Sequence, residues 1–177
     1  MEAKRRKIHH PHPNFYLNLK YIDTETYIKI LERMPVLCVD LLILNNKGEF
    51  LQVKRRYEPM KGRWWTVGGR VRKGESLALA AKRKAREEVG LNVNVILPLG
   101  FYEELYSRNP YHIAKGIHTV SIVFICTLVS GEVRLDNQSS AWRYSSKIPQ
   151  KIKNSMPFNI YFSYKDRKLI TDTELYD

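Results

Sequence analysis

Two spacings of apolar side chains divide this chain into elements. Tyr27, Ile30, Leu31 and Met34 fall at i, i+3, i+4 and i+7, which predicts an amphipathic helix over 24–34, capped by Asp23 or Thr24 and stopped by Pro35. VLCVDLLIL (36–44) is an apolar run of strand length, broken only by Asp40. Asn45-Asn46-Lys47-Gly48 is turn chemistry, and EFLQVKR (49–55) resumes as a strand, so a hairpin is expected. After YEPMKGR comes a short strand, WWTV (64–67), then two glycines, a basic turn and a helix over 76–89. Leu77, Ala81, Ala85 and Val89 step by four along that helix as a buried stripe. Glu87 and Glu88 fall away from the stripe's centre, and Gly90 is placed to end the helix. Strands are expected at 93–105 and 117–129. From Ser145 onward helical pieces are expected, limited by Pro149 and Pro157. The pattern as a whole reads as one α/β domain over 21–177, with helices packed on a mixed sheet.

With 177 residues and 44% of them hydrophobic, the chain is long enough for one real core. No apolar run is long enough to span a bilayer, and the basic start MEAKRRKIHHPHP has no apolar stretch of the secretory kind behind it. Residues 1–20 read as a basic arm, whose HHPHP is either a metal ligand set or a solvated tail. Cys38 and Cys126 both lie in apolar runs and read as buried, reduced thiols, so a cytoplasmic location is expected. The net charge of +12 favours anionic partners: nucleotides, nucleic acid or acidic surfaces.

Candidate chemistry concentrates in GGRVRKGESLALAAKRKAREEVGL (68–91). Paired glycines let a backbone approach a ligand closely, and Arg70, Arg72 and Lys73 suit a diphosphate. Two acids near a helix C-terminus oppose the macrodipole and therefore want a cation. One reading is a hard divalent ion held by carboxylate and carbonyl oxygens; the other is an ordinary surface helix whose acids pair with Arg83 and Lys84. The spacing G-x5-E-x7-R-x3-E-E-x-G-U is met by Gly69, Glu75, Arg83, Glu87, Glu88, Gly90 and Leu91. This resembles the Nudix box, the signature of hydrolases acting on a nucleoside diphosphate linked to another group. The resemblance implies an α/β/α sandwich with a mixed sheet. Lys84 stands where that box carries a glutamate. At i,i+3 and i,i+4 it reaches Glu87 and Glu88, so it either swings to solvent, leaving a reduced metal site, or acts as a surrogate cation.

The flanks, MPVLCVDLLILNNKGEFLQVKRRYEPMKGRWWTVGGRV (34–71), are similar to GDP-mannose mannosyl hydrolases, a Nudix branch that also lacks this glutamate. That branch cleaves GDP-mannose at the sugar carbon with a divalent ion. The resemblance implies Mg2+ or Mn2+ held by the Gly68 carbonyl, Glu88 and Gln138, with Glu87 as a further candidate. It also implies Arg55, Arg70 and Arg83 at the diphosphate or the box, Asp40 facing the substrate, and a homodimer. Independently of any family, an acid inside VLCVDLLIL is costly unless it is paired or functional. The branch's histidine base and a tyrosine are replaced by Ser139 and Thr119. His118 is the candidate base, with His112, Glu103 and Glu104 nearby in sequence; a strand-end histidine bonded to backbone is the alternative. Trp64 and Trp65 should face opposite sides of their strand, one in the core. Three functions remain open: a nucleotide-sugar hydrolase, a pyrophosphohydrolase of ADP-ribose-like substrates, and a Nudix-shaped nucleotide or RNA binder without hydrolysis.

Overall fold

The computed structural model describes residues 22–147; the basic arm, HHPHP and the expected helical pieces around Pro149 and Pro157 lie outside the described residues. Helix α1 (Thr24–Leu31) is capped by Asp23, whose side chain accepts the Thr26 N–H at 2.9 Å. It is shorter than expected. Pro35 disfavours helical backbone at Met34, the last turn closes at Glu32, and Met34 is left 56% exposed outside the stripe. The strands are β1 (Val36–Leu44), β2 (Phe50–Arg55), β3 (Trp64–Trp65) and β4 (Val67–Arg70) before helix α2 (Leu77–Val89), then β5 (Asn92–Tyr106), β6 (Ile117–Ser130) and β7 (Ser139–Ser145).

Together they form the mixed α/β sheet expected, in the order β3-β2-β1-β6-β5, with β4 added to β1 and β7 to β2. β1 and β6 run parallel from Val36↔Thr119 to Leu44↔Thr127. The expected hairpin exists as a turn but not as a ladder. β1 meets β2 only at Leu44↔Phe50, because β4 takes that edge of β1, pairing Asp40 with Gly68 and Cys38 with Arg70. β2 pairs instead with β3 and β7. β7 (SSAWRYS) is largely exposed and carries no apolar alternation that would have announced it.

β1 is covered on both faces, which explains an apolar run broken only by Asp40. One face packs Val39, Leu41 and Ile43 under Ala81, Ala85 and Val89 of α2, with Leu51, Val67 and Phe124. The other packs Leu42 and Leu44 with Phe50, Trp65, Leu99 and Val123. Alanines on α2 bring helix and sheet close, so a truncation such as Leu41→Ala has little room to be refilled and costs about 2–5 kcal/mol. A third cluster, Leu31, Val36, Ile113 and Ile117, docks α1 at the end of the sheet. Glu88 does not fall away from the α2 stripe. It follows Ala81 and Ala85 at i+7 and i+3 and is buried, at 7% exposure. Among the described residues no helix is long and apolar enough to cross a membrane.

Candidate active site

A cleft of about 250 Å³ opens where β1, β4 and β6 meet the loop before β6. Strand parity decides what faces it. Cys38 and Asp40 of β1, Thr119 and Ser121 of β6, and Gly68 and Arg70 of β4 share the cleft side. Gly68 must be glycine: a Cβ there would lie 2.3 Å from the Val39 carbonyl oxygen and 2.5 Å from Asp40 Oδ1. Asp40 forms the floor. Its carboxyl accepts from Tyr102 OH at 2.7 Å and Thr66 Oγ1 at 2.9 Å, and the Ser121 hydroxyl also favours its charged form. Burial pushes its pKa up, and the three hydroxyls and the field of Arg55 only partly oppose that. Tyr102 is itself pushed up by burial and by the neighbouring Asp40, so it stays a hydroxyl donor.

Two cations and an aromatic wall complete the cleft. By simple alternation Arg55 would follow Leu51 and Val53 to the α2 side. It lines the cleft instead, where the β2·β7 ladder is irregular, Ser140 of β7 being left over between the pairs Lys54↔Ala141 and Arg55↔Ser139, and its Nε donates to the Pro59 carbonyl at 2.6 Å. Arg70 lies 4.3 Å over the Tyr27 ring, and Tyr27 meets Tyr111 edge to face at 5.7 Å. Tyr27 thus brings α1 to the site, rather than serving only its core stripe. Of the tryptophans, Trp65 is buried and lines the cleft, while Trp64 on the other side stacks under Arg143 at 4.2 Å.

Behind the glycines stands α2. Ser76 caps it, accepting the Leu79 N–H at 3.2 Å, and Gly90 ends it in the left-handed region. Arg83 braces the loop to the helix: Nε and Nη2 meet the two Glu75 oxygens at 2.7 and 2.8 Å, Nη2 reaches the Arg70 carbonyl at 3.0 Å, and Nη1 reaches Glu87 at 2.8 Å. Glu87 is further held by Arg72 at 3.1 Å, so two guanidinium groups engage its carboxylate, and no contact joins it to Gly68 or Gln138. Glu88 has such a contact: one of its oxygens accepts the Gly68 N–H at 3.2 Å, and the other holds Lys84 Nζ at 2.5 Å. Burial raises its pKa, against the pull of Lys84. Gln138 lines the same cleft, its amide NH2 given to Asp136 at 2.8 Å, and the Asp136 N–H bonds the Glu88 carbonyl at 3.0 Å.

Glu88 carboxylate, Gly68 carbonyl and Gln138 amide oxygen are hard donors that suit Mg2+ or Mn2+. Among the described residues no group of three or more His, Cys, Asp and Glu side chains comes together for a metal. A divalent ion here would lean on one carboxylate, neutral oxygens and the phosphates of a ligand, with the Lys84 ammonium beside that carboxylate. The base candidate His118 is not brought to the site. It lies inside β6 and pairs with Leu105, and its neighbours Ile117 and Thr119 line the cleft, so parity turns it to the opposite face. Its Nε2 is buried without a hydrogen-bond partner. Glu103 is exposed on that same opposite side, and Glu104 is buried without lining the cleft. His112 is exposed in the loop, and Ser139 is buried with its carbonyl accepting from Arg56 at 3.1 Å. Sequence reasoning missed Tyr102, Thr66 and Ser121, the donors around Asp40.

Residues 34–148 match the NUDIX domain family. A low-salt glycan biosynthesis protein, Agl8, of Haloferax volcanii is 32% identical over 119 residues, which is 67% of this chain and 76% of that protein. An ADP-ribose pyrophosphatase of Methanocaldococcus jannaschii is 36% identical over 100 residues, 56% of this chain and 55% of that protein. Among solved structures, a MutT protein from Methanosarcina mazei superposes with a TM-score of 0.56 at 26% identity, covering 76% of this chain and 96% of that one.

Proposed function

The chain belongs to the NUDIX family of hydrolases, and from that premise we propose that it hydrolyses a nucleotide sugar, breaking the bond at the sugar C1. One observation carries this reading. Among the described residues Asp40 is the only carboxylic acid lining the cleft, while the box acids are engaged by cations, Glu87 by two arginines and Glu88 by Lys84. A base on the floor, beside the box glycine Gly68, can take a proton from a water attacking the sugar end of a bound diphosphate. A carboxylate offers about four lone-pair positions, and Asp40 gives one to each of the Tyr102 and Thr66 hydroxyls, which leaves room for a water proton. Its raised pKa moves it toward the range where a general base works near neutral pH.

The balance is simple. The water oxygen bonds to C1, the C1–O bond breaks with its electron pair going to the diphosphate, and Asp40 takes the water's proton. Arg55 and Arg70 stabilise the charge that develops on the leaving diphosphate. Glu88, Gly68 and Gln138 would hold a divalent ion, which would supply Lewis-acid charge to the leaving diphosphate. The aromatic wall of Tyr27 and Tyr111 offers faces for a base or sugar. The similarity to a glycan biosynthesis protein supports a sugar-linked substrate, with GDP-mannose the first to try.

Cleavage at phosphorus is the second reading, favoured by the likeness to an ADP-ribose pyrophosphatase. A panel of GDP-mannose, UDP-glucose and ADP-ribose with Mg2+ or Mn2+ in 18O-water separates the two. Labelled free sugar with unlabelled diphosphate is expected; sugar phosphate as product refutes attack at C1. Asp40→Asn should lower turnover by about 10²–10⁴-fold. Salt-sensitive RNA binding without any turnover would instead leave a binding protein, which the net charge of +12 would serve.

A further inference from the structure

The geometry points to Lys84 as a built-in cation that occupies Glu88 in the ligand-free protein and competes with a divalent ion for it. Lys84 is not the loose surface side chain its composition suggests. Its side chain is 13% exposed and that of Glu88 is 9% exposed, with Nζ 2.5 Å from Glu88 Oε1 and 4.0 Å from Glu87 Oε2. Helix chemistry alone does not explain the pairing, because a lysine placed N-terminal to glutamate is the less favourable order for an i,i+4 pair. Tertiary structure supplies the reason. Gly69 has no side chain, and a Cβ there would lie 2.8 Å from Lys84 Cε and 3.3 Å from Nζ. The bare glycine makes the niche in which the ammonium sits, directly behind the cleft edge.

Glu87 leaves Lys84 no equal alternative, since Arg72 and Arg83 already hold its carboxylate at 3.1 and 2.8 Å. Glu88 in turn uses its second oxygen on the Gly68 N–H, so both its oxygens are engaged while the lysine stays. A divalent ion at this carboxylate meets the ammonium's positive charge at close range, so the two compete for it. A released Nζ has Glu87 within 4.0 Å to receive it. Lys84 is therefore a positioning residue that sets how tightly the site holds its metal. This rests on the proposed reading only in taking Glu88 as the ion's carboxylate, and it needs no particular substrate.

Mn2+ alone, followed by the electron paramagnetic resonance of the free ion, tests it on three full-length proteins: wild type, Lys84→Gln and the double variant Lys84→Gln/Glu88→Gln. Lys84→Gln should bind Mn2+ about 10–100-fold tighter than wild type, and the double variant should lose that gain. Equal affinity of Lys84→Gln and wild type overturns the inference, as does a gain that survives in the double variant. A second measurement needs no variant. Mass spectrometry of brief acetylation should find Lys84 protected in the metal-free wild type and exposed once Mn2+ binds. Mn2+ that binds and leaves Lys84 as protected as before overturns the inference even if Lys84→Gln fails to fold. Because neither readout involves turnover, a negative nucleotide-sugar panel would count against the proposed reaction and not against Lys84.

Discussion

Arg83→Met tests the brace between loop and helix. Methionine keeps the unbranched stem and removes the guanidinium, with its two bonds to Glu75, one to the Arg70 carbonyl and one to Glu87. Taken singly, hydrogen bonds to charged groups contribute about 1.5–3 kcal/mol each, so four would suggest far more than a real variant loses. The Glu87 contact is 41% exposed on the acid side and is worth only about 0–1 kcal/mol. The Glu75 pair is different, with side chains 17% and 10% exposed, and deleting one partner of a well-buried pair costs about 3–5 kcal/mol. Glu75 keeps the Arg72 N–H at 3.1 Å and some access to water, which places the expectation near the lower end, about 3 kcal/mol. For a chain of this size that is a fall in melting temperature of about 6–12 °C. Urea unfolding of wild type, Arg83→Met, Glu75→Gln and the double variant should give a coupling energy of about 2–3 kcal/mol between the two sites. A loss under about 0.5 kcal/mol for Arg83→Met, at unchanged denaturant dependence, would refute the brace.

Three further outcomes follow from the same geometry. Gly69→Ala forces a side chain onto backbone with φ at +145° and onto Lys84 Cε, and should cost about 1–3 kcal/mol in urea unfolding. Asp40→Asn should change how stability varies with pH. Burial raises the Asp40 pKa in the folded state, so its contribution is full below the ordinary aspartate value and is lost as pH rises toward the raised one. Unfolding free energies across that window should show Asp40→Asn gaining on wild type as pH rises, then running parallel; a constant difference would contradict the assignment. Burial pushes the Cys38 and Cys126 thiols up to about 12, which leaves on the order of one in 10⁴ ionised at pH 8. Both should resist disulfide-exchange reagents in the folded protein and react together once it is denatured, and rapid labelling of Cys38 alone would show that the cleft side opens.

What the sequence disclosed was local. β1 and α2 could be bounded because their spacing is regular and their ends carry turn and cap residues. The box could be read because its chemistry lies on one loop and one helix, at fixed separations. The floor of the cleft was half legible: an acid in an apolar strand needs partners, but Tyr102 comes 62 residues later and Thr66 comes 26 later. Nothing local announces those partners. His118 misled because sequence places it beside the site while strand parity turns it away. Glu88 was misplaced because a stripe stepping by four hides its i+3 and i+7 relation to Ala85 and Ala81. β7 was missed because an exposed strand at the sheet margin needs no apolar period.

The irregularity between Lys54 and Arg55 has a consequence for how this scaffold can diversify. Removing Ser140 would even out the pairing of β2 with β7 while the rest of the ladder survived. A one-residue deletion could thus redraw the rim beside Arg55 in a protein that still melted cooperatively. Stability alone would then be a poor record of how that rim had changed.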